Sequence, residues 1–200
     1  MSTSDVWAIT PSTSATLYRA ATTITGGGGE LELLTNDAGV NGIGYKVRFT
    51  SAADDSGDTF TIVGQKVGDL TGTATTEVVT GADSSTADST NFYSYIQSIT
   101  ASGNSTGTVS IGTTGSLALP RTRIRGFQYV AAASAGSIVF NLNSTSGAEI
   151  LKVNTPAGVG NTQQMSIPGA GILTTRSNNT DFAIMTLTQI GESLITVFCG

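Results

Sequence analysis

The most regular chemical pattern in this chain of 200 residues is a row of three arginines, Arg121, Arg123 and Arg125, separated by Thr122 and Ile124. Alternate side chains of a β-strand leave the same face, so we expect the three guanidinium groups to point in one direction. Guanidinium groups pair bidentately with carboxylates, and the row therefore predicts contact with an acidic protein partner. The alternatives are a solvated outer face and pairing with acidic residues of the same chain.

A second pattern is the group Asp54, Asp55 and Asp58 in the stretch SAADDSGD, residues 51–58. Calcium takes roughly six to eight oxygen ligands from a loop, and this stretch lacks the ligand spacing and the distal glutamate of an EF-hand. A tight hairpin turn with a positive φ at Gly57 explains the same residues without a metal. We therefore expect a turn here, and no metal or other cofactor.

The remaining candidates for catalysis are few. The chain contains no His and a single Cys, Cys199, which excludes serine and cysteine relays that use imidazole, imidazole metal sites and an internal disulfide. Four glycines, residues 26–29, are not followed by the Lys-Ser/Thr of a phosphate-binding loop, and we interpret them as a hinge. The acidic residues lie in loop-like stretches without visible pairing, so we expect a protein that is not an enzyme.

Composition narrows the class of partner. Thr, Ser and Gly fill 80 of the 200 positions, only 12% of the residues are charged, and the net charge is −5. An acidic chain with few Lys and Arg is not expected to bind nucleic acid. No apolar run approaches the roughly 20 residues that span a bilayer, and residues 1–16 lack the pattern of a signal peptide. Hydrophobic residues still make up 38% of the chain, which predicts a folded protein.

The elements that must position these residues are predicted to be β-strands. Period-2 alternation recurs along the chain, for example at Tyr45, Val47 and Phe49, whereas a helical period is hard to find. About six short strands precede residue 113 and about six follow residue 120. We expect a loop at residues 81–90 and a linker at residues 112–120. The predicted fold is all-β, with two small antiparallel β-sandwich or barrel domains at residues 26–118 and 119–200.

Residues 1–25 show no clear period, and we interpret them as an extended N-terminal arm. Trp7, Leu17 and Tyr18 stand among polar residues of this segment and need some surface to cover them, which predicts contact with a neighbouring subunit. A frayed terminus is the alternative. Residues 1–119 carry a net charge of −7 and residues 120–200 a net charge of +2. This asymmetry favours head-to-tail contacts between copies or docking on a partner, although two unrelated domains with different surfaces would also produce it.

Several stretches resemble virion proteins of tailed phages. The runs YKVRFTSAADDSGDTFTIVGQ (residues 45–65) and TTEVVTGADSSTADSTNFYSYIQSITASGNSTGTVSIGT (residues 75–113) are similar to a module of tailed-phage structural proteins. RIRGFQYVAAASAGSIVFNL, IPGAGILTTRS and the ending LITVFCG resemble a small β module of marine and freshwater podovirus virion proteins. Phe198 and Gly200 match the usual ending of that module, and Cys199 departs from it.

The resemblance implies a location in the virion and a capsid decoration, or cement, protein. The implied partners are the major capsid protein or other virion proteins, together with further copies of the chain as a homo-oligomer, and neither nucleic acid nor a membrane. A tail or neck component is the alternative within the same class. From another class, a carbohydrate- or receptor-binding module would use exposed aromatic side chains, for which Tyr93 and Tyr95 are the best candidates.

Overall fold

The structure, a computed structural model, describes residues 6–9, 14–36, 43–67, 72–119, 123–131, 133–142, 146–158, 160–169, 171–173, 183–187 and 195–199. These residues form strands, turns and bends without a helix, which confirms the all-β prediction. In chain order the strands are β1 (Val6–Ile9), β2 (Arg19–Thr23), β3 (Gly29–Glu30), β4 (Gly44–Ser51), β5 (Thr59–Lys66), β6 (Thr75–Thr80), β7 (Thr86–Asp88), β8 (Tyr93–Ala101), β9 (Thr108–Leu119), β10 (Arg123–Val130), β11 (Gly136–Leu142), β12 (Glu149–Thr155), β13 (Thr162–Ser166), β14 (Ile172–Leu173), β15 (Ala183–Leu187) and β16 (Ile195–Cys199).

The chain divides into two compact units. The first unit is Thr13–Thr114, and the second combines Met1–Ser12 with Gly115–Gly200. The segment predicted as an arm is therefore shared between the two units, and its described residues from 14 onward belong to the first. No helix in the described residues has the length and apolar character needed to cross a bilayer.

The first unit is built on the strand order β9-β4-β8-β5-β6, with β2 beside β9, β7 beside β4 and β3 beside β8. Alternation explains why these segments become strands: β4 and β5 each bury every second side chain through most of their length. The inward rings of Phe49 and Phe60 stack with their centroids 4.4 Å apart. Burial of such a side chain contributes about 1.5–3 kcal/mol, so the alternating apolar positions hold the unit together.

Strand β8 departs from simple alternation because its pairing with β5 shifts register twice. Gly64 lies opposite Ile96 whereas Val63 lies opposite Ser98, and a second shift separates the partners of Gln65 and Lys66. A bulge adds one unpaired residue and turns the following side chains to the other face. A Cβ on Gly64 would overlap the carbonyl oxygen of Tyr95, which explains why glycine stands opposite the bulge.

The second unit contains two sets of paired strands. One has the order β1-β16-β10-β13, with β14 also beside β10, and the other joins β12, β11, β15 and the end of β9. Phe127 of β10 and Phe140 of β11 are fully buried, and their ring centroids lie 6.2 Å apart. Ile138 and Val153 are also buried, so the alternation seen in the sequence at β11 and β12 faces the core of this unit.

The junction between the two units, Thr114/Gly115, falls within the linker predicted at residues 112–120, but residues 112–119 are not irregular: they lie in β9, the longest described strand. Leu117, Ala118 and Leu119 are fully buried. Small residues are needed here for close packing: a Cβ on Gly112 would overlap the carbonyl oxygen of Ser14. Gly112, which favours a linker in the sequence, instead allows the segment at Ser14 to approach the strand.

Two local predictions are also corrected. The loop predicted at residues 81–90 contains β7, whose Asp88 lies opposite Arg48 of β4. The turn at residues 51–58 is present, but Gly57 does not adopt a positive φ; the described non-glycine residue with positive φ is Ser84, at 46°. The turn is stabilised by hydrogen bonds of aspartate side chains, which allow its backbone to remain in the common region.

Replacing Gly112 by Ala tests the close approach at β9. The added methyl group would displace the segment at Ser14, which accepts a hydrogen bond from the Thr113 N–H. We expect the free energy of unfolding in urea to fall by about 1–3 kcal/mol, the usual cost of overpacking. Gly57→Ala is the matched control: a Cβ there would have no atom within 4 Å, and we expect a change within about 0.5 kcal/mol. Equal effects of the two substitutions would contradict the packing described for β9.

Candidate interaction surfaces

The predicted contact residues of the N-terminal segment lie on different elements. Trp7 is in β1, where its Cα lies opposite Val197 of β16. Tyr18 is 1% exposed in the core of the first unit, and Leu17 packs partly buried against the same core. The Tyr18 N–H donates to the Ile111 carbonyl oxygen at 2.9 Å. The side chain of Tyr18 is therefore covered by its own unit, and contact of this segment with a neighbouring subunit stays a prediction.

Two of the three predicted arginines lie on β10, and Arg121 lies outside the described residues. Ile124 is buried, whereas Arg123 is partly exposed and Arg125 is exposed. The pairing of β10 with β16 shifts register between Ile124 and Gly126, so Arg125 lies at a β-bulge and simple alternation does not assign the two arginines to one face. Arg125 Nη1 donates to the Gly169 carbonyl oxygen at 3.0 Å, which holds the guanidinium group beside its own chain. The remaining donors of Arg125 are suited to carboxylates.

The acidic stretch at residues 51–58 has a structural role in the first unit. Asp55 is 1% exposed, its Oδ1 accepts the Thr106 N–H at 2.7 Å, and its own N–H donates to the Ala82 carbonyl oxygen at 3.1 Å. One aspartate thereby ties together three loops at this end of the unit. Asp54 is exposed, and a hydrogen bond from the Ser56 hydroxyl lowers the pKa of its carboxyl group. Among the described residues no group of three or more acidic or Cys side chains is placed to hold a metal ion.

Glu77 of β6 accepts four hydrogen bonds, an arrangement that the sequence analysis missed. Its Oε1 accepts the Thr90 N–H, and its Oε2 accepts the Asn91 N–H at 3.2 Å, the Asn91 Nδ2 at 2.8 Å and the Tyr93 hydroxyl at 3.0 Å. Carboxylates that accept several donors at once form strong charge-assisted hydrogen bonds. The alternation of side chains in β6 could have revealed this site, because it places the charged Glu77 on the same face as the buried Val79.

Burial, together with the neighbouring carboxylate of Glu77, raises the pKa of the Tyr93 phenol well above its usual range. Desolvation has the larger effect, because burial disfavours the charged phenolate. The carboxylate of Glu77 adds to it by disfavouring a second negative charge nearby. Tyr93 is therefore a neutral donor to Glu77 at all ordinary pH values. The pair fixes the start of β8 to the edge strand β6.

The charged side chains on β4 and β2 also have partners within the chain. Arg48 forms a bidentate pair with Asp88, with Nε–Oδ1 at 2.7 Å and Nη2–Oδ2 at 2.8 Å. Arg19 Nη1 donates to the carbonyl oxygen of Val109 at 3.3 Å. Arg48, Asp88 and Arg19 thus all have hydrogen-bond partners within the first unit.

The outer face of β6, β5 and β8 is an uncharged surface of the first unit. Residues directly opposite each other in antiparallel strands share a face, so the register assigns its members. All of them are partly or fully exposed, none is charged, and Glu30 of β3, opposite Thr100, marks one border. We call this surface the Thr/Val face; it consists of Thr59, Thr61, Val63, Gln65, Thr76, Val78, Thr80, Tyr95, Ser98 and Thr100.

The two tyrosines considered for carbohydrate binding do not share a surface. Tyr95 is 43% exposed on the Thr/Val face, whereas Tyr93 is fully buried. The register shift in β8 separates them, because one extra residue between the two positions reverses the alternation. The pair therefore does not form an exposed aromatic platform.

No protein-family model, no curated protein and no solved structure is significantly similar to this chain.

Stability at alkaline pH tests the Glu77–Tyr93 arrangement. A tyrosine whose pKa is raised by folding keeps its proton where the unfolded chain has lost it, so the stability is complete below about pH 10 and falls as pH rises further. The slope that one such group adds is at most about 1.4 kcal/mol per pH unit. We expect Tyr93→Phe to lower the free energy of unfolding at neutral pH by about 1 kcal/mol, because one hydrogen bond is lost, and to flatten the alkaline decline.

Tyr95→Phe is the matched control, since Tyr95 is exposed. Urea unfolding of the two variants and the parent chain at a series of alkaline pH values measures the slopes. A decline of equal slope in Tyr93→Phe and the parent chain would show that Tyr93 ionises freely and would contradict the arrangement.

Proposed function

We propose that this chain is a non-enzymatic structural protein of a tailed-phage virion, which decorates or cements the capsid through contacts between subunits. The stretches that resemble phage virion modules lead to this class of protein. The structural observation that best supports it is the Thr/Val face, an uncharged and exposed sheet surface next to charges that are satisfied within the chain. Such a surface suits contact between proteins, because no charge must be desolvated when it is covered.

The proposal includes two small β-sandwich domains and a docking N-terminal segment. The two compact units and their strand content support the first part. The position of Met1–Ser12 supports the second: this segment groups with the second unit, and the chain that directly follows it groups with the first. Strand β1 pairs with β16, and the same antiparallel pairing is available to β16 of a neighbouring subunit. Exposed Arg125 on β10 is a candidate contact for an acidic patch of the major capsid protein.

Many weak contacts are sufficient for such a role. A decoration protein is present in many copies, and simultaneous attachment at several points raises its apparent affinity without any strong single site. The chain needs no cofactor for this function. A carbohydrate-binding module is less well supported, because only one of the two candidate tyrosines is exposed.

The copy number of the chain in purified virions tests the proposal. Quantitative mass spectrometry against the major capsid protein is expected to give a ratio near one or a simple fraction of it, as a capsid lattice requires. A few copies per particle would favour the tail or neck, and absence from washed particles would contradict a virion function.

Binding to capsids stripped of the chain tests the N-terminal segment. We expect a variant lacking residues 1–12 to bind with an apparent affinity at least about tenfold lower, since one of several attachment points is lost. This deletion keeps Tyr18 and the rest of the first unit. Arg125→Gln is a second, separate variant: it leaves the N-terminal segment intact and is expected to weaken binding through loss of the β10 contact. Unchanged occupancy by the deletion variant would overturn docking through this segment and leave capsid binding itself intact.

A further inference from the structure

Strand β6 forms an open edge of the first unit. It lies at the end of the strand order and pairs with β5 on one side, while among the described residues no strand pairs with its other side. Natural proteins usually protect such edges with Lys, Pro, a bulge or a covering segment, because unpaired N–H and C=O groups recruit other strands. The sequence TTEVVT contains neither Lys nor Pro, and its pairing with β5 runs without a register shift.

The charge of β6 is already satisfied. Thr13–Thr114 contains 10 acidic and 4 basic residues, so two copies of this unit repel each other at most orientations. Glu77 is the charged residue of β6, and its carboxylate accepts four donors of its own chain. The adjoining Thr/Val face carries no charge. The β6 edge is therefore a place where two copies can approach closely without an unpaired carboxylate between them.

We propose that β6 pairs in antiparallel orientation with β6 of a second copy of this chain, across a two-fold axis perpendicular to the sheet. The strands β8, β5 and β6 of each copy then form one continuous sheet, and the two Thr/Val faces join into a single surface. This inference rests on the proposed function, because it specifies one of the contacts between subunits that the function requires.

The register follows from the alternation of side chains. A two-fold axis perpendicular to the sheet keeps outward-facing residues opposite outward-facing residues. The axis therefore lies between the two copies of a single residue, which is Glu77 or Val78 near the middle of the strand. An axis at Glu77 would place two carboxylates directly opposite each other, which is destabilising. The axis at Val78 places the two valines opposite each other and pairs Thr76 with Thr80 of the second copy.

The contact at Val78 also explains an exposed apolar side chain. Val78 is 59% exposed in the single chain, although β-branched residues gain most where a neighbour covers them. In the proposed pair each Val78 is covered by its symmetry mate, and aliphatic pairs of this kind stabilise antiparallel strands. The contact is small and therefore weak in isolation, which suits one of many contacts in a lattice.

Disulfide trapping distinguishes this register from its alternatives. In the full-length chain, Val78→Cys places two sulfur-bearing residues opposite each other with Cα atoms about 4.5–5.5 Å apart, a distance that a disulfide spans. Thr76→Cys is the matched control: it is equally outward-facing, but its two copies are four residues apart along the strands, about 14 Å. We expect Val78→Cys to form covalent dimers under mild oxidation on the order of tenfold faster than Thr76→Cys or the parent chain, which retains Cys199.

Sedimentation of charge variants provides a second measurement. Val78→Lys places two ammonium groups on the axis and is expected to make the chain monomeric at concentrations where the parent chain is dimeric. Leu34→Lys makes the same change at another exposed apolar side chain, 68% exposed, and is expected to leave the dimer intact. Dimers with equal affinity in both variants, or equal disulfide rates at positions 76 and 78, would overturn the proposed pairing.

Failure of this inference and failure of the proposed function are distinguishable. A chain that is abundant on virions, but whose Val78→Cys and Thr76→Cys variants form covalent dimers at the same rate, refutes the β6 pairing alone. A chain that forms the Val78 disulfide dimer but is absent from virions refutes the virion function alone.

Discussion

The first unit depends on one carboxylate that is satisfied by its own chain. Glu77 stands on the edge strand β6 and accepts four donors from the stretch between Thr90 and Tyr93. These hydrogen bonds fix the start of β8, which in turn pairs along most of β5. They also hold the one charged side chain of β6 against its own chain. The same interaction therefore stabilises the core and leaves a surface on which another strand can pair.

The low charge content of the chain has a structural consequence. Only 12% of the residues are charged, about half the share of a typical soluble protein. Several of these residues serve internal contacts: Arg48 pairs with Asp88, and Asp55 joins three loops. The surfaces that remain, above all the Thr/Val face, are rich in small β-branched and hydroxyl side chains. Such surfaces favour association through shape and backbone pairing.

Alternation in the sequence was sufficient to predict most strands, because a strand with one buried face must repeat every second residue. Alternation did not predict the features that depend on tertiary contacts. The bulges of β8 add single residues that no local pattern marks, so alternation alone places Tyr93 and Tyr95 on one face, although Tyr93 is buried. Gly112 resembled a linker residue, yet its lack of a side chain admits the segment at Ser14. The role of Glu77 depends on a stretch more than ten positions away. Of the predicted contact residues, Arg125 is exposed at a bulge of β10, whereas Tyr18 lies in the core.

Hydrogen exchange of the β6 amides as a function of protein concentration tests the central claim most directly. If copies pair through β6, amides on the outer edge of residues 76–80 exchange at least about tenfold more slowly in concentrated than in dilute solution. Amides at the centre of β5, such as that of Ile62, are already inside the sheet and are expected to be protected equally at both concentrations. Exchange of the β6 amides that is independent of concentration, in a chain that still self-associates, would contradict the claim and place the contact elsewhere.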